Sequence, residues 1–188
     1  KPIVNVKGYQ FGGEDKIIIS GPCSFGSYEE LYKIVEELKK LNIKFIRAGA
    51  FKFRSNPSSF QGMRDEGIEI LLKIKKELNI YIVVELLDTV QVKKYGKLVD
   101  IIQIGSRNMY NTELLKEVGK LKTPVIIKRG MSATYDEWLL AASYILNEGN
   151  DKIILCERGI RSAVTEGTRN VLDIQAIPYI KKNSKFPI

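Results

Sequence analysis

Short runs rich in isoleucine and valine recur along the chain, at positions 17–19, 43–46, 80–84, 101–104, 125–127 and 153–155. Each run is continuously apolar rather than alternating, which predicts strands buried on both faces, as in a parallel sheet. Between them lie amphipathic segments with readable ends. Ser27 with Glu30 predicts a capping box ahead of Leu31, Ile34, Val35 and Leu38. Thr134 with Glu137 predicts another ahead of Trp138, Ala141, Ala142 and Ile145, with Gly149 as the stop. Asn111 can cap a helix over 113–118, ended by Gly119. The pattern is a β-α unit repeated six times, at steps of 21 to 37 residues.

Such alternation fits either an open doubly wound sheet or a closed barrel. Two features favour the barrel. The turn Gly21-Pro22-Cys23-Ser24 is neither a dinucleotide-binding nor a Walker loop, and chemically distinctive residues follow every strand instead of gathering at one switch point. The predicted fold class is α/β, a TIM (β/α)8 barrel with six units present. A barrel of this kind has eight strands and about 250 residues, so strands seven and eight, roughly 60 to 80 residues, are expected to lie outside this sequence. Phe186-Pro187-Ile188 reads as the start of the seventh.

Composition narrows the picture. A chain of 188 residues with 44% apolar content supports one core, so 1–188 is read as a single, incomplete barrel domain. No apolar run approaches the roughly 20 residues that span a bilayer, and the N-terminus lacks a secretory pattern. A soluble, cytoplasmic protein without membrane contact is the expectation. Cys23 and Cys156 are too far apart in sequence for a paired-cysteine zinc site, and the chain contains no histidine. The formal charge of +8 is spread over helices where acidic and basic residues alternate, which argues for solvated faces and against a nucleic-acid partner.

In barrels the active site lies at the C-terminal ends of the strands, so the residues after each apolar run belong together. They are Cys23; Arg47, Lys52 and Arg54; Glu85 and Asp88; Arg107; Lys128 and Arg129; and Glu157, Arg158 and Arg161. Like charges at this density need carboxylate partners or an anionic ligand, and three carboxylates are too few. Arginine grips phosphate or carboxylate with a planar fork, and lysine acts as a point charge. The ligands expected are small and multiply anionic. Taken singly, any one of these arginines also reads as a surface charge, Cys156 as packing, and Cys23 as either a packed or a functional thiol.

Longer strings are more specific. Gly21-Pro22-Cys23-Ser24, the stretch from Arg47 through Lys52-Phe53-Arg54-Ser55 to Gly62, and Gln103-Ile104-Gly105-Ser106-Arg107-Asn108-Met109 resemble one family. So do Lys128-Arg129-Gly130-Met131, Leu155-Cys156-Glu157-Arg158-Gly159 and Thr168-Arg169-Asn170. The sequence resembles the 3-deoxy-D-arabino-heptulosonate 7-phosphate (DAHP) synthases of the short microbial type, nearly end to end. The resemblance implies condensation of phosphoenolpyruvate with erythrose 4-phosphate, release of phosphate, the first step of the shikimate pathway, and a divalent metal of the Mn, Fe, Co or Zn kind.

It further implies that Arg47, Lys52, Arg107, Lys128 and Arg158 hold phosphoenolpyruvate, and that Lys52, Arg54 and Ser55 meet erythrose 4-phosphate. Cys23 would be a metal ligand. Glu85 and Lys128 would stand at the reacting centre, and the protein would be a homo-oligomer, dimer or tetramer. Three departures stand out. Phe53 replaces the family's usual proline, and the 162–167 stretch differs from the usual Thr-Phe-Glu. The family's remaining ligands, a His, a Glu and an Asp, belong to the absent strands, so the chain as given is expected not to complete a metal site. A synthase of 3-deoxy-octulosonate 8-phosphate and a non-catalytic, anion-binding barrel fragment remain alternative readings.

Overall fold

The computed structural model describes residues 2–14, 16–52, 56–163, 167 and 169–188. Six parallel strands form one sheet in sequential order: β3 (Ile19–Ser20), β4 (Phe45–Arg47), β5 (Tyr81–Glu85), β6 (Ile101–Ile104), β7 (Val125–Lys128) and β8 (Ile153–Cys156). Each is followed by a helix: α1 (Tyr28–Lys40), α2 (Arg64–Leu78), α3 (Thr89–Tyr95), α4 (Thr112–Gly119), α5 (Tyr135–Asn147) and α6 (Ala176–Asn183). The six β-α units read from the apolar runs are all present, as a curled parallel sheet forming part of a TIM barrel.

Side-chain direction sorts the sheet into two faces. Ile46, Ile82, Val84, Ile102, Ile104, Val125, Ile127, Ile153 and Leu155 turn outward into one large core with the helices. Phe45, Val83, Ile101, Ile126 and Ile154 turn inward. Both sets are apolar, which is why the strands read as unbroken runs instead of alternating ones.

A two-stranded antiparallel hairpin precedes the sheet, β1 (Val4–Val6) with β2 (Tyr9–Phe11), an element the apolar runs do not predict. Val4, Val6 and Phe11 pack on the inward residues and close the N-terminal end of the curled sheet. Phe45 is the centre of this floor, with ring centroids 5.3 Å from Tyr9, 5.2 Å from Phe11 and 5.2 Å from Tyr81. The buried Asp100 carboxylate ties hairpin to barrel: it accepts from Ile82 N at 2.9 Å, pairs with Lys75 at 2.9 Å, and faces Lys7 of the hairpin turn at 3.8 Å.

The helix signals hold with one change. Thr134 and Glu137 form the full capping box of α5, and Asn111 caps α4. Ser27 Oγ accepts from Glu30 N, but the Glu30 carboxylate accepts from Gly26 N instead of returning to Ser27, so the box at α1 is half formed. The C-terminal residues run beside β8, where Leu155 N donates to Pro187 O at 2.8 Å. That is where a seventh parallel strand would begin.

Candidate active-site cleft

One layer above the apolar floor the inward positions change character. Arg47 ends β4, Glu85 ends β5, Gln103 sits near the end of β6, Lys128 ends β7 and Cys156 ends β8. The strand register places Glu85 opposite Gln103 and Lys128 opposite Cys156. These side chains share a layer because they occupy inward positions at the same height, two residues beyond Phe45, Val83, Ile101, Ile126 and Ile154.

Above them opens a cleft of ≈ 510 Å³ at the C-terminal end of the sheet. Arg47, Lys52, Arg107, Lys128, Arg158 and Arg169 line it, with Glu85 the one carboxylate among the described residues and Cys23 beside them. Asn56, Ser59, Gly105, Ser106, Asn108 and Met131 complete the wall. The expected cluster is therefore brought together for Cys23, Arg47, Lys52, Glu85, Arg107, Lys128 and Arg158. Arg54 and Ser55 lie outside the described residues, as do Phe53 and residues 164–166 of the divergent 162–167 stretch.

Three of the residues grouped by their position after a strand serve elsewhere. Asp88 is the N-cap of α3 and accepts from Gln91 N at 2.7 Å. Arg129 turns away from the cleft, as alternation after the inward Lys128 requires. It is 5% exposed and bonded to Glu157 at 2.9 Å and Asp173 at 2.8 Å. Glu157 is consumed by that pair and by the Arg158 and Gly159 N–H groups, at 2.9 Å and 2.6 Å. With Asp88, Glu157 and Arg129 removed, six cations and one carboxylate line the cleft among the described residues, and Arg161 is not one of them. Arg169, placed by the loop after β8, joins it. The Thr168-Arg169-Asn170 string was the available signal.

Several cations are aimed by local geometry. Arg47 Nε donates to Gly21 O at 3.3 Å. Gly21 has φ +132°, and a Cβ there would stand 2.0 Å from Arg47 O, so this turn admits only glycine. Lys52 Nζ lies 2.9 Å from Cys23 Sγ. Lys128 is largely removed from water, which pulls its pKa below the ordinary lysine value; Arg47 and Arg158 push the same way against Cys156 and Glu85. Burial likewise pushes the Cys156 thiol up, so it stays protonated beside Lys128. Arg158 leaves Nη1 buried without a hydrogen-bond partner. An orphaned guanidinium N–H costs free energy that an anionic ligand would recover.

The metal expectation finds less support. Among the described residues no three His, Cys, Asp or Glu side chains converge as a metal requires. Cys23 is a single thiol with an ammonium at hydrogen-bond distance. These residues alone do not fit a divalent ion.

Comparison with known proteins agrees with the cleft's cationic strings. The family model described as the DAHP synthetase I family matches residues 2–188. A phospho-2-dehydro-3-deoxyheptonate aldolase of Thermotoga maritima is 43% identical over 186 residues, 99% of this chain and 55% of that protein. Its crystal structure superposes with a TM-score of 0.93 over 99% of this chain, which covers 54% of the solved one. A 2-dehydro-3-deoxyphosphooctonate aldolase of Koribacter versatilis is 29% identical over 94% of this chain and 65% of its own length. The chain thus spans about half the length of the Thermotoga relative it matches. The curled six-stranded sheet, the ring of arginine and lysine at its C-terminal end and the match over nearly every residue make this chain a member of the DAHP synthetase I family.

Proposed function

We propose that this chain forms the substrate-binding part of a DAHP synthase, which joins phosphoenolpyruvate to erythrose 4-phosphate and releases phosphate. The observation that carries the reading is the convergence of six cations on one carboxylate in a cleft whose Arg158 retains an unsatisfied buried donor. Two substrates each bearing phosphate repel one another in water. Fixed cations remove that repulsion and hold the reacting carbons together.

Arg47, Lys128 and Arg158 hold the carboxylate and phosphate of phosphoenolpyruvate, together with Lys52 and Arg107. Lys52, with Arg54 and Ser55 by family resemblance, receives the phosphate of the aldehyde. The C3 carbon attacks the aldehyde carbon, and Lys128, whose lowered pKa suits it to give up a proton, protonates the developing alkoxide. Water adds at C2 and passes its proton to Glu85. The C2–O bond to phosphate then breaks as the proton of the new C2 hydroxyl passes to the departing phosphate, which leaves the ketone.

The family generally uses a divalent metal, for which Cys23 is a candidate for one ligand. The other ligands would come from beyond the described residues. A homo-oligomer in the cytoplasm, as the aromatic biosynthetic role implies, completes the proposal; no described helix is long and apolar enough to cross a membrane.

The test is phosphate release by the full-length protein from phosphoenolpyruvate with erythrose 4-phosphate or arabinose 5-phosphate. Turnover with the four-carbon aldehyde alone is expected. Preference for the five-carbon aldehyde would favour the octulosonate reaction, and binding of phosphoenolpyruvate without turnover would leave an anion-binding fragment. Lys128→Ala should lower turnover by at least ~100-fold, on the order of losing one oriented charge-stabilising group. Unchanged turnover would remove Lys128 from the chemistry.

A further inference from the structure

Among the inward residues of the site layer, Gln103 alone is neither charged nor a thiol. It is buried at 9% exposure and faces Glu85 across the parallel β5–β6 pair. Its Nε2 donates to Glu85 Oε2 at 3.0 Å. Two residues further along the same strand direction stands Gly105, where a Cβ would lie 2.1 Å from Glu85 Oε1 and 3.0 Å from its Cδ. Gly105 has φ −69° and ψ 155°, ordinary extended backbone that any residue adopts. Its lack of a side chain is therefore demanded by the Glu85 carboxylate and by nothing in its own conformation.

We propose that Gln103 and Gly105 are positioning residues that fix the Glu85 carboxylate: the amide holds one oxygen and the bare glycine leaves room for the other. This rests on the role of Glu85 proposed above.

The choice of residue types follows from what faces Glu85. Arg47 comes from β4, Arg107 from the segment after β6, Lys128 from β7, Arg158 and Arg169 from the segment after β8, and Cys23 and Lys52 from the loops after β3 and β4. Any of those cations could draw the single carboxylate into a tight ion pair and take it out of use. A lysine at 103 would do so at close range. A glutamate there would set two carboxylates side by side, and one would keep its proton. A neutral donor from an adjacent strand fixes direction without neutralising charge, and the sheet's hydrogen bonds hold donor and acceptor in register.

The experiment uses the full-length protein with Glu85→Gln, Gln103→Met, Gln103→Glu and Gly105→Ala, measuring kcat and KM for phosphoenolpyruvate against pH. Gln103→Met and Gly105→Ala are expected to lower kcat by about 10- to 100-fold, with KM changed by no more than about threefold, as for a misplaced reacting group. Gln103→Glu, which keeps the shape of the side chain, is expected to move the acidic limb of the kcat profile to higher pH. A KM effect alone, or wild-type kcat in both Gln103→Met and Gly105→Ala, overturns the inference. So does a Gln103→Glu profile identical to that of the wild type. Full turnover in Glu85→Gln removes the catalytic role of Glu85 itself. Loss of turnover in Glu85→Gln beside wild-type behaviour of the other three refutes only the positioning.

Discussion

On the proposed function, Lys128 serves binding at the expense of folding. Burial holds its pKa below the ordinary 10.5, so below that lowered value the residue is charged both folded and unfolded and the whole desolvation penalty falls on the folded state. The penalty lifts as pH rises through the lowered value toward 10.5. Lys128→Met should raise the melting temperature at neutral pH while abolishing turnover, and the gain should shrink in alkali. Equal melting temperatures at pH 7 would contradict this sign. Asp173 behaves oppositely. Its bond to Arg129, with a second from Tyr135 at 2.7 Å, holds its carboxyl below the usual carboxylate range. That stability is present above the ordinary value of 3.8 and is lost as pH falls through the lower folded value. Asp173→Asn should cost about 2 kcal/mol in urea unfolding at pH 7, the scale of a hydrogen bond to a charged group, and less in acid. The residues least legible from sequence belong here. Arg129, Asp88 and Glu157 stand beside the site residues in the chain, but strand alternation and capping direct them elsewhere, and only the fold shows that.

At the scale of elements, helices and sheet strands were readable because their signals are local: apolar runs, and caps within one turn. The hairpin was not, since its three-residue strands carry one or two buried side chains each and gain their stability from a distant partner, Phe45. Phe45→Ala should therefore cost about 3 to 5 kcal/mol, as for other large buried aromatics, and should loosen the hairpin first, visible as faster amide exchange at Val4 and Val6. Exchange that accelerates no more there than in α5 would separate the floor from the hairpin. The two predicted capping boxes also differ in consequence. Thr134→Ala removes the side-chain half of a reciprocal pair and should cost about 1 kcal/mol. Glu30→Ala leaves the Ser27 bond to α1 intact and should cost less, which paired urea titrations would reveal.

For the whole molecule, a surplus of cations at one end of the sheet ties stability to ligand. Binding of phosphoenolpyruvate only to the folded state should raise the melting temperature with concentration, by a stabilisation of about 2.7 kcal/mol at 100 times the dissociation constant. Added salt should blunt the effect. The site was legible at this scale through a single rule, that barrels gather function where their strands end. The rule named seven of the cleft's lining residues and missed Arg169, which reaches it from a long loop after β8.

The hydrogen bond from Leu155 N to Pro187 O sets a frame for sidedness at that edge. In parallel pairing it makes Ile188 the neighbour of Leu155, and Ile188 does pack outward against the helix-side core, while the Cβ of Pro187 sits 2.6 Å from where a Cβ on Gly12 of the floor would stand. A strand running on in that frame would turn its next residue inward, beside Cys156 and Lys128. One backbone contact thus dictates which positions of an adjoining strand can take part in chemistry and which can serve only as packing, and a shift by a single residue would exchange the two.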